Sequence, residues 1–190
     1  MNEAGTYNGI YWGLAGRMRG LYLTRMKNLF PFLFLLLPSI LPAQEKRLLK
    51  ILNDELYRQV RYQFKSVRFA DDTIQVLQPF SISADKVLSV KIRQYQPDRD
   101  GYIEWLQEVP LEKVLSIDKD INVILRAGDE DVHSAGVRYA RGGDPGKFEE
   151  KTNLFFLYFF TPNNNESLGK KIRRAFIGAG YKVDVEYWAD

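Results

Sequence analysis

The sequence predicts an α+β fold: a mainly antiparallel, curled sheet or small barrel of about eight strands, closed by a C-terminal helix and preceded by a short N-terminal helix. Three observations carry this. Turn-forming clusters recur about every ten residues between Asp71 and Gly146, the spacing of antiparallel meanders. Residues 154–160 (LFFLYFF) are apolar on both faces of a strand, which calls for a central strand covered on both sides. Residues 166–179 place Leu168, Ile172, Ala175, Phe176 and Ala179 on one helical stripe, with Lys170, Lys171, Arg173 and Arg174 opposite and Gly180 to end it.

The elements follow in order. Gln44 to about Arg58 is helical, because Leu48, Leu52 and Leu56 recur every four residues while Lys46, Arg47, Lys50 and Asp54 lie away from that stripe. From Val60 the period moves toward two, so Val60-Arg61-Tyr62-Gln63-Phe64 is expected as strand before a turn at Asp71-Asp72. Strands follow at 73–80 and 87–95, the second with Leu88, Val90 and Ile92 on one face and Ser89, Lys91 and Arg93 on the other. Pro97-Asp98-Arg99-Asp100-Gly101 turns the chain into a strand at 102–109. Further strands are expected at 114–117, 121–125 and 132–139, entered through turns at Asp118-Lys119-Asp120 and Gly128-Asp129-Glu130-Asp131. Residues 141–151, with Gly142-Gly143-Asp144-Pro145-Gly146, are expected as the one long loop. After 154–160, Pro162-Asn163-Asn164-Asn165 ends the strand and caps the helix, and Tyr181 to Trp188 alternates as a final strand.

In front of this domain, residues 26–43 have the layout of a secretory signal peptide. Arg25 and Lys27 make a basic start, Leu29 to Leu41 is an apolar run, and Ala43 precedes the polar Gln44-Glu45-Lys46-Arg47. A spanning helix needs about 20 apolar residues, and Pro31 and Pro38 speak against a buried core helix. The expected division has three parts. Residues 1–25 are an extension upstream of a start at Met26, or a short cytoplasmic tail. Residues 26–43 are a leader cleaved near Ala43/Gln44, or else retained as an anchor. Residues 44–190 are a single exported domain, periplasmic or extracellular, with membrane contact only through the leader before cleavage.

Charge supports this division. The chain has 27 Lys+Arg and 24 Asp+Glu. Residues 1–43 hold four basic residues (Arg17, Arg19, Arg25, Lys27) and one acidic (Glu3), so the remaining chain is electrically balanced. The basic pI therefore belongs to the leader and is no argument for nucleic acid or anionic membrane as a partner. The chain has no Cys, which excludes thiol catalysis and Cys-built zinc sites, and its one His, His133, excludes multi-His metal sites. No cofactor is implied.

The connector Val109-Pro110-Leu111-Glu112-Lys113-Val114, the strand 154–160 and the helix 166–179 ending in Gly178-Ala179-Gly180 together resemble the pleckstrin-homology-like or GRAM-like superfold. The resemblance is architectural, covers roughly residues 60–180, and departs from the superfold in the helix before the sheet and the strand after the last helix. It implies a domain that binds phosphoinositides, peptides or nothing known, and it assigns no binding residues.

Candidate chemistry is sparse. Asp129, Asp131 and His133 share a face if they lie on a strand and then suit a cation or a hydrolytic site; otherwise they are an acidic turn and an ordinary strand residue. Ser134 neighbours His133, and strand neighbours point to opposite faces. Asp118-x-Asp120-x-Asn122 is like a calcium loop but has Val123 where Gly is needed, so a hairpin is expected. The Gly142–Gly146 stretch lacks the Lys-Ser/Thr of a phosphate loop. Asn165-Glu166-Ser167 is a glycosylation sequon relevant only to a eukaryotic secretory route. Lys170, Lys171, Arg173 and Arg174 either meet phosphate or anionic lipid or, as the default, are a solvated helix face; with Arg141, Trp105 and Trp188 they make the candidate partner surface, and Trp105 and Trp188, with Tyr102 and Tyr187, are either core or an exposed binding face.

The expected function is a small exported binding or interaction domain without catalytic activity, using a sheet face or the 140–151 loop to hold a protein, peptide or lipid-like ligand. Two alternatives stand beside it: a hydrolase or metal-dependent enzyme centred on His133, and an immunity- or inhibitor-type protein against a secreted toxin.

Overall fold

The computed structural model describes residues 30–63, 73–96, 100–160 and 165–188, with side chains from Ala43 onward. The chain divides into two units, residues 1–40 and 41–190, and what is described of the first is helical backbone from Phe30. The upstream extension, the basic start of the leader, the turns at 71–72 and 97–99, and Pro162 to Asn164 lie outside the described residues.

The described elements are α1 (Phe30–Gln63), β1 (Ile74–Ile82), β2 (Val87–Gln96), β3 (Gly101–Pro110), a single 3-10 turn (Leu111–Lys113), β4 (Val114–Lys119), β5 (Val123–Ala127), β6 (Val132–Ala140), β7 (Gly146–Thr152), β8 (Leu154–Phe156), α2 (Glu166–Gly178) and β9 (Asp184–Trp188). Helical backbone passes Pro38 and Pro42, so the helix begins well before the expected start at Gln44. Each proline removes one amide donor, and the remaining residues keep theirs. The helix also outlasts the expected end at Arg58. The alternation seen at 60–64 does not make a strand up to Gln63, because Gln59 and Gln63 extend the stripe of Leu48, Leu52 and Leu56 and are themselves buried. Leu48, Leu52 and Leu56 are fully buried, each contributing about 1.5–3 kcal/mol of apolar transfer.

The strands form two sheets. The larger has the order β1-β2-β3-β6-β7 and is antiparallel throughout; the smaller has the order β8-β5-β4-β9, with β9 parallel to β4 and the other pairs antiparallel. The fold is thus α+β and mainly antiparallel, with nine strands among the described residues, and the sheets do not close into a barrel. The chain changes sheet at short connectors: the 3-10 turn at Leu111–Lys113, the turn at 128–131, and Asn153. Each connector ends one sheet's strand and starts the other's, and the outer strands β1, β7, β8 and β9 form no pairing between the two sheets among the described residues.

Further expectations are corrected, among them that of a central strand at 154–160, since β8 is an edge of the smaller sheet. Residues 146–152 are strand, paired with β6 from Arg138↔Gly146 to Val132↔Thr152, and the expected long loop shrinks to 141–145. Its charged composition disguised it: Lys147, Glu149, Glu150 and Lys151 are what an exposed edge strand carries to discourage pairing with other chains. The strand expected over 154–160 is regular only to Phe156. Beyond it, the Leu157 amide still donates to Val123 (3.0 Å) and the Val123 amide to Phe159 (3.3 Å), but Tyr158 adopts φ +59° and breaks the ladder.

Between the sheets, Phe80 lies 6.2 Å from Phe155 and 6.3 Å from Phe159 by ring centroids, and Phe176 enters from α2, all four essentially without exposure. Helix α2 approaches β9 so closely that a Cβ on Gly169 would stand 2.5 Å from Cζ3 of Trp188. Asn165 precedes α2 but makes no side-chain cap; its Oδ1 accepts from Trp188 Nε1 at 3.1 Å instead.

Candidate functional site

Alternation along the strands gives the larger sheet two unlike faces. Leu88, Val90 and Ile92 of β2, Ile103, Gln107 and Val109 of β3, and Val132 and Ser134 of β6 are buried. The intervening residues therefore form the outer face, and the register aligns them in four cross-strand rungs. Tyr95, Tyr102 and Tyr139 make the first. Gln75, Arg93, Glu104, Val137 and Lys147 make the second. Gln78, Lys91, Leu106, Ala135 and Glu149 make the third, and Ser81, Ser89, Glu108, His133 and Lys151 the fourth.

Two concavities open on this face. A trough of about 610 Å³ has Leu106, Ala135 and Val137 as an apolar floor, with Lys91, Glu104, Lys147 and Glu149 around it. A slot of about 580 Å³ lies between Tyr57 and Val60 of α1 and the strand residues Gln75, Val76, Tyr95 and Tyr102. Arg93 and Glu104 form the ridge between them. Arg93 Nε donates to Glu104 at 2.9 Å, Nη1 donates to Gln75 at 3.2 Å, and the guanidinium carbon sits 4.7 Å over the Tyr102 ring. The Glu104 hydrogen bond holds the guanidinium more firmly protonated than usual. Tyr102 in turn stacks on Tyr139, with centroids 4.5 Å apart.

At the far end, His133 stands between two carboxylates: Nε2 is 2.8 Å from Glu149 and Nδ1 is 3.8 Å from Glu108. Asp131 turns instead to Lys113, at 3.9 Å. Asp129 makes no hydrogen bond or ion pair among the described residues, and no group of three His, Asp or Glu side chains there is arranged to hold a metal ion. Ser134 lies on the inner face, where its hydroxyl accepts from Gln107 at 3.3 Å, so it is directed away from His133. The Asp118–Asn122 stretch is the β4–β5 hairpin, with Asp118 buried and bonded to Arg126 at 2.8 Å.

The remaining expected surface residues are dispersed. Lys170 pairs with Glu166 at 3.1 Å, Arg173 with Asp184 at 3.0 Å, and Arg174 donates to the Lys170 carbonyl; Lys171 is exposed on the same helix. Arg141 pairs with Asp100 at 2.8 Å at the end of the β3–β6 pair in the larger sheet. Trp105 and Trp188 share no exposed face. Trp105 packs inward beside Phe148 and Tyr158, and Trp188 is held by Asn165 and Gly169 with the Lys119 ammonium 5.7 Å from its ring. Among the described residues no helix is long and apolar enough to cross a membrane.

Sequence reasoning placed Lys91 and Arg93 on the polar face of β2 but missed the Tyr95–Tyr102–Tyr139 rung and the part played by Tyr57. Alternation within 102–109 marks Tyr102 as outward. Its two tyrosine neighbours come from strand pairing, which no local pattern encodes. Comparison with protein-family models, with curated proteins and with solved structures yields no match for this chain.

Proposed function

We propose that the chain is a small exported binding domain without catalytic activity, and that the outer face of the larger sheet holds its protein, peptide or lipid-like ligand. The observation that carries this reading is the composition of that face: tyrosines and an arginine beside an apolar floor, open in a trough and a slot. Tyr and Arg are the residues that concentrate binding energy at interfaces. Export rests on the layout of residues 26–43. An immunity- or inhibitor-type role is the same reading with a toxin as the partner. The likeness to pleckstrin-homology-like domains is kept with it, supported by the antiparallel meander and by the helix after β8, and strained by the parallel β9.

The test has two arms. Cell fractionation and intact mass of the product are expected to give a soluble exported species beginning at Gln44; a species retaining residues 1–43 in the membrane or cytoplasm removes the export half. For the binding half, Leu106→Arg places a charge on the trough floor, and Ile177→Arg does so on the exposed side of α2. Cross-linking to partners in the exported fraction is expected to be lost in the first variant and kept in the second. Equal retention in both variants overturns the assignment of the face.

A further inference from the structure

We propose that the slot between α1 and the tyrosine rung binds an extended, proline-containing peptide segment. This rests on the reading of the outer face as a binding surface and narrows it to one ligand chemistry. Tyr57 and Tyr95 are 47% and 41% exposed, and the hydroxyls of Tyr57, Tyr95 and Tyr102 make no hydrogen bond among the described residues. The Gln75 carbonyl oxygen already accepts from Arg93, which leaves its amide nitrogen as a donor. Among the described residues no carboxylate lines the slot, and Glu104, beside it on the ridge, already holds Arg93. The described lining is therefore rich in donors and poor in strong acceptors, with flat apolar rings on two sides.

A ligand that fits must bring acceptors, few donors and apolar flat surface. A polyproline-type segment does so: it has no amide N–H at proline, its carbonyls point outward at regular intervals, and its rings stack on aromatic side chains. Because the segment is stiff before binding, little entropy is lost on docking. A sugar chain brings many hydroxyl donors and would meet no carboxylate to accept them among the described residues. The slot's volume, about 580 Å³, lies in the range of sites that enclose a short segment or a small ligand.

The experiment is calorimetric titration of the full-length chain with acetylated, amidated octaproline, beside a Gly-Ser octapeptide and maltoheptaose. Octaproline is expected to bind saturably and the other two at least about tenfold more weakly. Tyr57→Ala and Tyr102→Ala are each expected to weaken binding about tenfold or more, and Tyr102→Phe, which keeps the ring and loses the donor, about threefold. Circular dichroism and unfolding midpoints show whether each variant is folded, and the Tyr102→Phe result stands even if an alanine variant is not. Octaproline binding no better than the Gly-Ser peptide overturns the proposal, as does binding unchanged in folded Tyr57→Ala and Tyr102→Phe. Saturable maltoheptaose binding without octaproline binding makes the slot a sugar site instead. If octaproline fails while cross-linking remains sensitive to Leu106→Arg, the ligand chemistry falls and the binding face stands.

Discussion

The Gln63 side chain stands in for a neighbouring strand at Ile74. Its Nε2 donates to the Ile74 carbonyl at 2.7 Å and its Oε1 accepts from the Ile74 amide at 2.9 Å. Asn53 does the same ten residues earlier, giving its Nδ2 to the Phe80 carbonyl (2.9 Å) and taking the Phe80 amide on Oδ1 (2.8 Å). Between them these amides from α1 satisfy both ends of the open side of β1, where bare backbone would otherwise invite another chain.

Removing either amide leaves buried backbone groups without partners. Gln63→Ala and Asn53→Ala are each expected to cost about 1–3 kcal/mol, read as a lower urea midpoint at unchanged slope. The double variant is further expected to self-associate, visible by light scattering under conditions where the wild type stays monodisperse. Midpoints within error of wild type would show that the clamps contribute nothing.

Gly169 is the point where α2 meets Trp188. A valine there must displace the indole or the helix, and Gly169→Val is expected to destabilise the fold by about 1–3 kcal/mol with a shift in tryptophan emission. Unchanged emission and midpoint would mean the helix rides farther from β9.

Two tyrosines make stability depend on alkaline pH. Burial, then the hydrogen bond to Glu45, pushes Tyr181 up to about 12, and burial raises Tyr158 well above its ordinary value. In the unfolded chain both ionise near pH 10. The unfolded state therefore binds fewer protons than the folded state above that pH, so the stabilisation is complete below pH 10 and declines as pH rises toward 12. Urea midpoints measured from pH 9 to 12 are expected to fall across that interval and to fall less steeply in Tyr181→Phe. A profile of equal steepness in the variant would remove Tyr181 from the account.

His133 is about two-thirds shielded at its side chain but sits at the rim with exposed Glu149. Such a pair contributes about 0–1 kcal/mol. His133→Ala is expected to leave the midpoint within about 1 kcal/mol of the wild type. An enzymatic activity lost in this variant at unchanged stability would establish the hydrolase alternative.

What the sequence disclosed follows the range of the forces involved. The stripe of Leu48, Leu52 and Leu56, the alternation of β2 and the amphipathic α2 were legible because each is decided by neighbours within one or two turns. The continuation of α1 to Gln63 was not, because two glutamines took apolar positions on its buried side and only their bonds to β1 and Phe160 explain them. Strand β7 was hidden for the opposite reason: an edge strand needs no apolar face and looks like a loop. The binding face was half legible. Outward positions can be read along each strand, whereas the meeting of Tyr95, Tyr102 and Tyr139 depends on register across three strands.

The parallel pairing of β9 with β4 also orders events in time. Strands of the larger sheet all lie within residues 74–152, and most of its neighbours are joined by hairpins that close as the chain emerges. The smaller sheet must wait: Ile117 meets Val185 only when a segment 68 residues downstream has been made and α2 has carried it back. Until then the edge of β4 and the apolar side of α2 have no permanent cover. Assembly of the smaller sheet is therefore the step that exposes apolar surface for longest as the chain is made.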